Sequence, residues 1–289
     1  MDVKVHVASK NDNDELIVGG SISDENGDSI GFVSIKDDTT KPIGFADSRK
    51  IDHLINIGNI TICTGIGNDD KAIIIKTVVA EQRIDIYHYL QTDQITIFRV
   101  TDIKAVPNSN DFAISGLMYH NDKKDVLISV IGILDENLNI KTIIQYDMSD
   151  NNLTEYHIDS ITVEGDQIYG IGSVRYEGVM VGVAAMTDIG LSTNKTTLIV
   201  QSSTNIEVVR GINISISGDR IIGKFITTDH DGNSNAIDII FDRDLEVVKE
   251  LDNTGTINVD AHDNTDNVVD NSSDIEFVED SLHEDLSIN

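Results

Sequence analysis

An apolar run that ends on an aspartate returns along this chain about every fifty residues. It reads Phe32-Val33-Ser34-Ile35-Lys36-Asp37, then residues 129–135 ending on Asp135, then 183–188 ending on Asp188, then Ile239-Ile240-Phe241-Asp242. Asp135 and Asp188 are 53 residues apart, Asp188 and Asp242 are 54 apart, and Asp37 to Asp135 is 98, or two steps of 49. Short apolar runs bounded by Gly, Asn and Asp read as strands, and strand-and-turn units at this period predict a propeller or a similar repeat array.

Each unit divides into four strands. The fourth unit gives runs at 167–174, 178–187, 197–201 and 208–217, and the third at 112–119, 126–134, 140–146 and 156–163. Units begin near residues 15, 60, 111, 166 and 219, each after a tight turn such as Asn13-Asp14, Asn110-Asp111, Gly165-Asp166 or Gly218-Asp219. These residue types tolerate the positive φ that a short hairpin demands. The second unit is irregular, because its second run ends Val78-Val79-Ala80 without the aspartate. Small residues recur in the strand after each turn (Gly19, Gly20, Gly65, Gly67, Gly116, Gly170, Gly172, Gly223), which fits the crowding of innermost strands around an axis.

The fifth unit shows three strands and stops, while residues 3–9 before Asn13-Asp14 match residues 212–217 before Gly218-Asp219. The expectation is an all-β, five-bladed β-propeller of four-stranded antiparallel blades over residues 1–251. Its ring would be closed by the N-terminal strand, residues 3–8 pairing beside 236–251, which would remove exposed sheet edges. Residues 252–289 hold eleven acids and no Lys or Arg. That composition predicts an acidic C-terminal tail, either disordered and solvating or a docking segment for a partner through Ile275, Phe277, Val278 and Leu282.

Charge narrows the partners. Fifty acids against 21 bases give a formal net charge of −29, which repels nucleic-acid phosphates and anionic membranes. No apolar stretch reaches the roughly 18 residues of a membrane span, and the N-terminus lacks a signal-peptide core, so cytoplasmic synthesis is expected. The lone cysteine, Cys63, excludes an internal disulfide and reads as a small buried strand residue.

Catalytic patterns are sparse. Eight histidines have no zinc spacing, and there is no Gly-x-Ser-x-Gly elbow. Tyr-His occurs at Tyr87-His88, Tyr119-His120 and Tyr156-His157, off the repeat period. Gly65-Ile66-Gly67 and Gly170-Ile171-Gly172 lead into no helix, so no dinucleotide cofactor is expected. Asp229, Asp231 and Asn233 alternate as in calcium loops, although the glycine falls too early for an EF-hand and a hairpin turn explains the same residues. A glycosidase needs two opposed carboxylates, which fifty acids neither identify nor exclude.

The hairpin Ile17-Val18-Gly19-Gly20-Ser21 with Gly31-Phe32-Val33 resembles bacterial propeller repeats of the SBBP and delta-60 types, and more loosely kelch. The resemblance implies a propeller and brings no active site. Propellers of this size serve as platforms in phage receptor-binding proteins and as sugar-binding or glycosidase folds. The expected role is a non-enzymatic, structural interaction protein of a larger assembly such as a phage or virus particle, partnered by other proteins. A glycan-binding or glycan-processing propeller with a glycan receptor is the alternative, and a cytosolic scaffold the third.

Overall fold

The computed structural model describes residues 2–36, 41–92, 95–120, 123–146, 153–176, 178–199 and 206–252. Twenty strands form five four-stranded antiparallel blades. The first blade is β1 (Asp2–Lys10), β2 (Leu16–Ser23), β3 (Ser29–Ile35) and β4 (Ile43–Phe45). The second is β5 (Ser48–Ile57), β6 (Ile60–Gly67), β7 (Ala72–Val78) and β8 (Arg83–Tyr89). The third is β9 (Ile95–Ala105), β10 (Phe112–His120), β11 (Lys123–Leu134) and β12 (Ile140–Tyr146). The fourth is β13 (Leu153–Glu164), β14 (Gln167–Tyr176), β15 (Val179–Asp188) and β16 (Asn194–Ile199). The fifth is β17 (Ile206–Ser217), β18 (Arg220–Asp229), β19 (Ser234–Phe241) and β20 (Val247–Asp252). The fold is a five-bladed propeller. No helix among the described residues is long and apolar enough to cross a membrane.

The strand pairing corrects the expected closure. β1 pairs with β2, from Asp2↔Ser23 to Lys10↔Leu16, and not beside residues 236–251. Every blade therefore begins one strand earlier than the repeat pattern suggested, and β17 through β20 complete the fifth blade alone. A strand joined to its neighbour by a tight turn pairs at little loop-closure cost, whereas pairing across the whole chain must order everything between.

One turn recurs at the hairpins. Asn11, Asp24, Asp135, Asp229 and Asp242 each accept, through one side-chain oxygen, the backbone N–H groups two and four residues on. Asp188 does the same with Ser192 and adds the hydroxyls of Ser192 and Thr193. The residue three places after each acceptor has positive φ: Asp14, Gly27, Leu138, Leu191, Gly232 and Leu245. Leucine is strained there, and Leu138 and Leu245 persist because their side chains are buried in the interblade cores. The second blade, which lacks the aspartate, turns through a short 3₁₀ segment (Val79–Glu81) with Gln82 left-handed. Asp37 lies outside the described residues, as do residues 253–289 with Ile275, Phe277, Val278 and Leu282.

Four of the glycines answer to a contact within their own blade. Gly20, Gly65, Gly116 and Gly172 sit on the second strands of the first four blades, beside a β-bulge in the first strand. A Cβ at Gly20, Gly65 or Gly172 would lie 1.8–1.9 Å from the carbonyl oxygen of Lys4, Lys50 or His157 respectively, and one at Gly116 2.5 Å from that of Arg99. Glycine is required because the bulged backbone leans onto its own neighbour.

Among the described residues, four apolar cores join consecutive blades, from first-to-second through fourth-to-fifth. Among those residues no fifth core joins the last blade to the first. Val3 and Val5 on β1 are exposed, and Ile222, Ile226 and Ile240 on the facing side of the fifth blade are only half-buried. Cys63 is fully buried between the first two blades, and burial pushes its thiol up to about 12.

Candidate functional site on the inner strands

First strands of consecutive blades pack against one another, so they converge and form the inner side of the propeller. Each carries one or two bulges, and in every blade the residue two before one of them is basic: Lys4, Lys50, Arg99, His157 and Arg210. All five lie opposite the second-strand residue on the face turned toward the next blade: Ser21, Ile66, Leu117, Ser173 and Ile226. They form a row. Arg99 acts electrostatically on both His53 and His157, and Arg210 acts on His157.

Acids accompany the row. Lys50 pairs with Asp52 at 2.9 Å, Lys104 with Asp102 at 2.8 Å, and Arg210 holds Asp159 through two bonds of 3.1 Å. In each pair the carboxylate is sunk and the cation outward, with side-chain exposures of 12%, 14% and 14% against 34%, 38% and 59%. Solvent here therefore meets the cationic partner of each neutral pair first.

Most of these carboxylates are committed to architecture. Asp102 accepts from the Ile103 and Ile161 N–H groups, from Ser160 Oγ and from Lys104 Nζ, which ties the third blade to the fourth. Beside it Thr101 Oγ1 donates to the Ile158 carbonyl at 2.5 Å, and Ser129 Oγ accepts the Ile158 N–H at 3.0 Å. The Arg210–Asp159 fork ties the fourth blade to the fifth. Asp52 differs, since its buried Oδ2 has no hydrogen-bond partner although the Lys50 ammonium is close. The contact is an ion pair whose direction does not suit a hydrogen bond. Burial holds His53 below its ordinary value, against the upward pull of Asp102 and Asp52. Burial lowers His157 likewise, against Asp159, while Arg210 adds to the lowering.

Asp229, Asp231 and Asn233 share the turn between β18 and β19. Asp229 Oδ1 accepts the N–H groups of Asp231 and Asn233, and its Oδ2 accepts Asn233 Nδ2. Those bonds, the Asn233 side chain first, hold the Asp229 carboxyl below its usual range. Among the described residues no group of three or more His, Cys, Asp or Glu could hold a metal ion. Of the Tyr-His pairs, His88 Nε2 lies 3.0 Å from the Leu138 carbonyl and braces the neighbouring blade's turn. His157 belongs to the inner row. The inner basic series escaped sequence reading because its members change identity and the bulges leave the spacings uneven, at 46, 49, 58 and 53 residues.

No protein-family model matches the chain, and no curated protein matches its sequence. Among solved structures the chain is similar to one from a structural and mechanistic study of two prolyl endopeptidases. That match has 13% identity and a TM-score of 0.48, covering 86% of this chain and 34% of the other. It is also similar to a thermostable family-43 glycoside hydrolase (11% identity, TM-score 0.47, 86% of this chain and 94% of the other). The β-propeller domain of the Trilobed protease from Pyrococcus furiosus is similar at 6% identity and a TM-score of 0.43, covering 86% and 83%. The chain spans about a third of the length of the first of these.

Proposed function

We propose that this propeller acts by binding, as a non-enzymatic interaction component of a larger protein assembly, with a phage or virus particle as the assembly in view. One observation carries the reading: five blades are joined by four apolar cores, leaving sheet faces on the first and fifth blades that have no mate among the described residues. Apolar strand faces open to water are characteristic of surfaces that another protein covers. The engagement of Asp102 and Asp159 in blade-to-blade bonds adds support. A carboxylate tied to several donors is a poor proton carrier, and a glycan-processing site needs two that are free.

Native mass analysis of the protein from its source tests this. The expected result is a complex of fixed stoichiometry that is lost when Val3 and Val5 are both changed to Asp; sedimentation with particles separates a virion part from a cytosolic scaffold. A chain found only as a free monomer that turns over a glycan substrate, with activity abolished by Asp52→Asn, would overturn it.

A further inference from the structure

A groove of about 740 Å³ opens between the first and second blades, lined among others by Lys4, His6, Ser21, Arg49, Lys50 and Asn68. Small hydroxyl residues line it, at a position where three of the other four blades carry a large apolar residue and the fourth blade has Ser173. Ser21 stands where the second and third blades carry Ile66 and Leu117, and Ser23 and Ser29 continue the polar wall. Its volume is in the range of small-molecule pockets.

The electrostatics run against the protein as a whole. The five first strands carry seven Lys or Arg (Lys4, Lys10, Arg49, Lys50, Arg99, Lys104, Arg210) and seven Asp or Glu, so they are neutral within a chain of net charge −29. Three of those seven cations converge on this groove, against one lining acid, Asp28. Each cation has a carboxylate beside it, but of unequal hold. Asp52, the partner of Lys50, is sunk, whereas Asp2 beside Lys4 and Asp70 beside Arg49 are 66% and 63% exposed. Exposed pairs of that kind are weak and exchange readily for a better-placed anion. Hydroxyls surround the cations, and His6 Nε2 lies 3.0 Å from Ser21 Oγ.

We propose that this groove binds a sugar bearing an oxyanion, a uronate or a sugar phosphate. The oxyanion sits between Lys4, Arg49 and Lys50, displacing Asp2 and Asp70, and the serines with Asn68 meet the ring hydroxyls. Charge-assisted bonds from a guanidinium supply the affinity, and the hydroxyl wall supplies the preference for a polyol over a bare anion. This site is separate from the unmated faces of the first and fifth blades.

Calorimetric titration of the full chain with glucuronate, glucose 6-phosphate and glucose tests the proposal. Saturable binding of at least one acidic sugar, and none of glucose, is expected; the tighter of the two identifies the anion. Arg49→Gln and Lys4→Gln should each weaken binding by about tenfold, the value of one charge-assisted hydrogen bond. Asp70→Asn frees Arg49 and should tighten it several-fold, whereas Asp219→Asn, which removes an equal charge on the fifth blade, should leave it unchanged. The variants alter exposed side chains, and unchanged melting temperatures confirm that they fold. Absence of saturation by either acidic sugar up to about 10 mM, where binding is weaker than any specific site of this kind, would overturn the proposal. So would equal binding of glucose, or wild-type affinity in both Arg49→Gln and Lys4→Gln.

Discussion

Val5 and Ile158 occupy the same place in the repeat, one on the first strand of the first blade and one on the first strand of the fourth. Each lies beside a bulge, opposite a glycine. Ile158 is 0% exposed, as is its counterpart Ile51, and Val100 is 3% exposed, but Val5 is 57% exposed. Three positions further on, Leu54, Ile103 and Ile161 are buried, whereas Ala8 is exposed. The strand pattern is the same in all four blades, so burial here is decided by whether a preceding blade is present to receive it.

The contrast can be broken by mutation. Ile158→Ala leaves a cavity between the third and fourth blades and should cost about 2–5 kcal/mol in denaturant unfolding, the usual range for such deletions in a core. Equal stability of this variant and the wild type would show that the interblade core contributes little.

Gly172→Ala and Gly20→Ala come next and sharpen the contrast differently. Both place a Cβ within 2 Å of a carbonyl on the neighbouring strand of the same blade, 1.8 Å for one and 1.9 Å for the other. Each should cost about 1–3 kcal/mol, as overpacking does, and by similar amounts. A harmless Gly20→Ala beside a damaging Gly172→Ala would mean that the first blade is loosely formed, not merely uncovered.

A smaller effect is expected at the turns. Asp188→Ala removes the acceptor for the Ser192 N–H and two hydroxyls, and should cost about 1 kcal/mol. Burial raises the Asp188 carboxyl, but the Ser192 and Thr193 bonds outweigh it and the net shift is downward. A depressed folded value means that the stabilisation is present above the unfolded carboxyl range and is lost as pH falls through the folded value. Acid titration of stability should therefore be shallower in Asp188→Asn than in the wild type. An identical acid slope would assign the turn no titrating role.

The smallest change should come from Val5→Ala, below about 0.5 kcal/mol, as for surface substitutions that touch no special feature. A cost matching that of Ile158→Ala would show that the face of β1 is covered in solution.

The period, the hairpins and the aspartate turns were legible in the sequence because each is a local matter. Alternation needs only neighbouring residues, and an Asp followed by N–H groups two and four places on needs only a five-residue loop. Cys63 could be placed for the same reason, inside the uninterrupted strand of β6. The phase of the blades was not legible. Residues 3–8 suit either an edge of the fifth blade or the first strand of their own hairpin, since both present the same period of two. The inner basic row was hidden too, because bulges shift the register and Lys, Arg and His alternate in it.

Local chemistry along the chain is enough to say which runs are extended, where they turn, and that acids outnumber bases. Packing in three dimensions set which strands are partners, which glycines yield to a bulged carbonyl, that Asp102 and Asp159 bind blade to blade, and that among the described residues no core covers the outer faces of the first and last blades. The physical reason is range. Backbone preference and turn geometry act over a few residues, whereas strand partnership, burial and charge clustering depend on groups fifty or more residues apart. Their mutual placement is set by packing, and no local pattern encodes it.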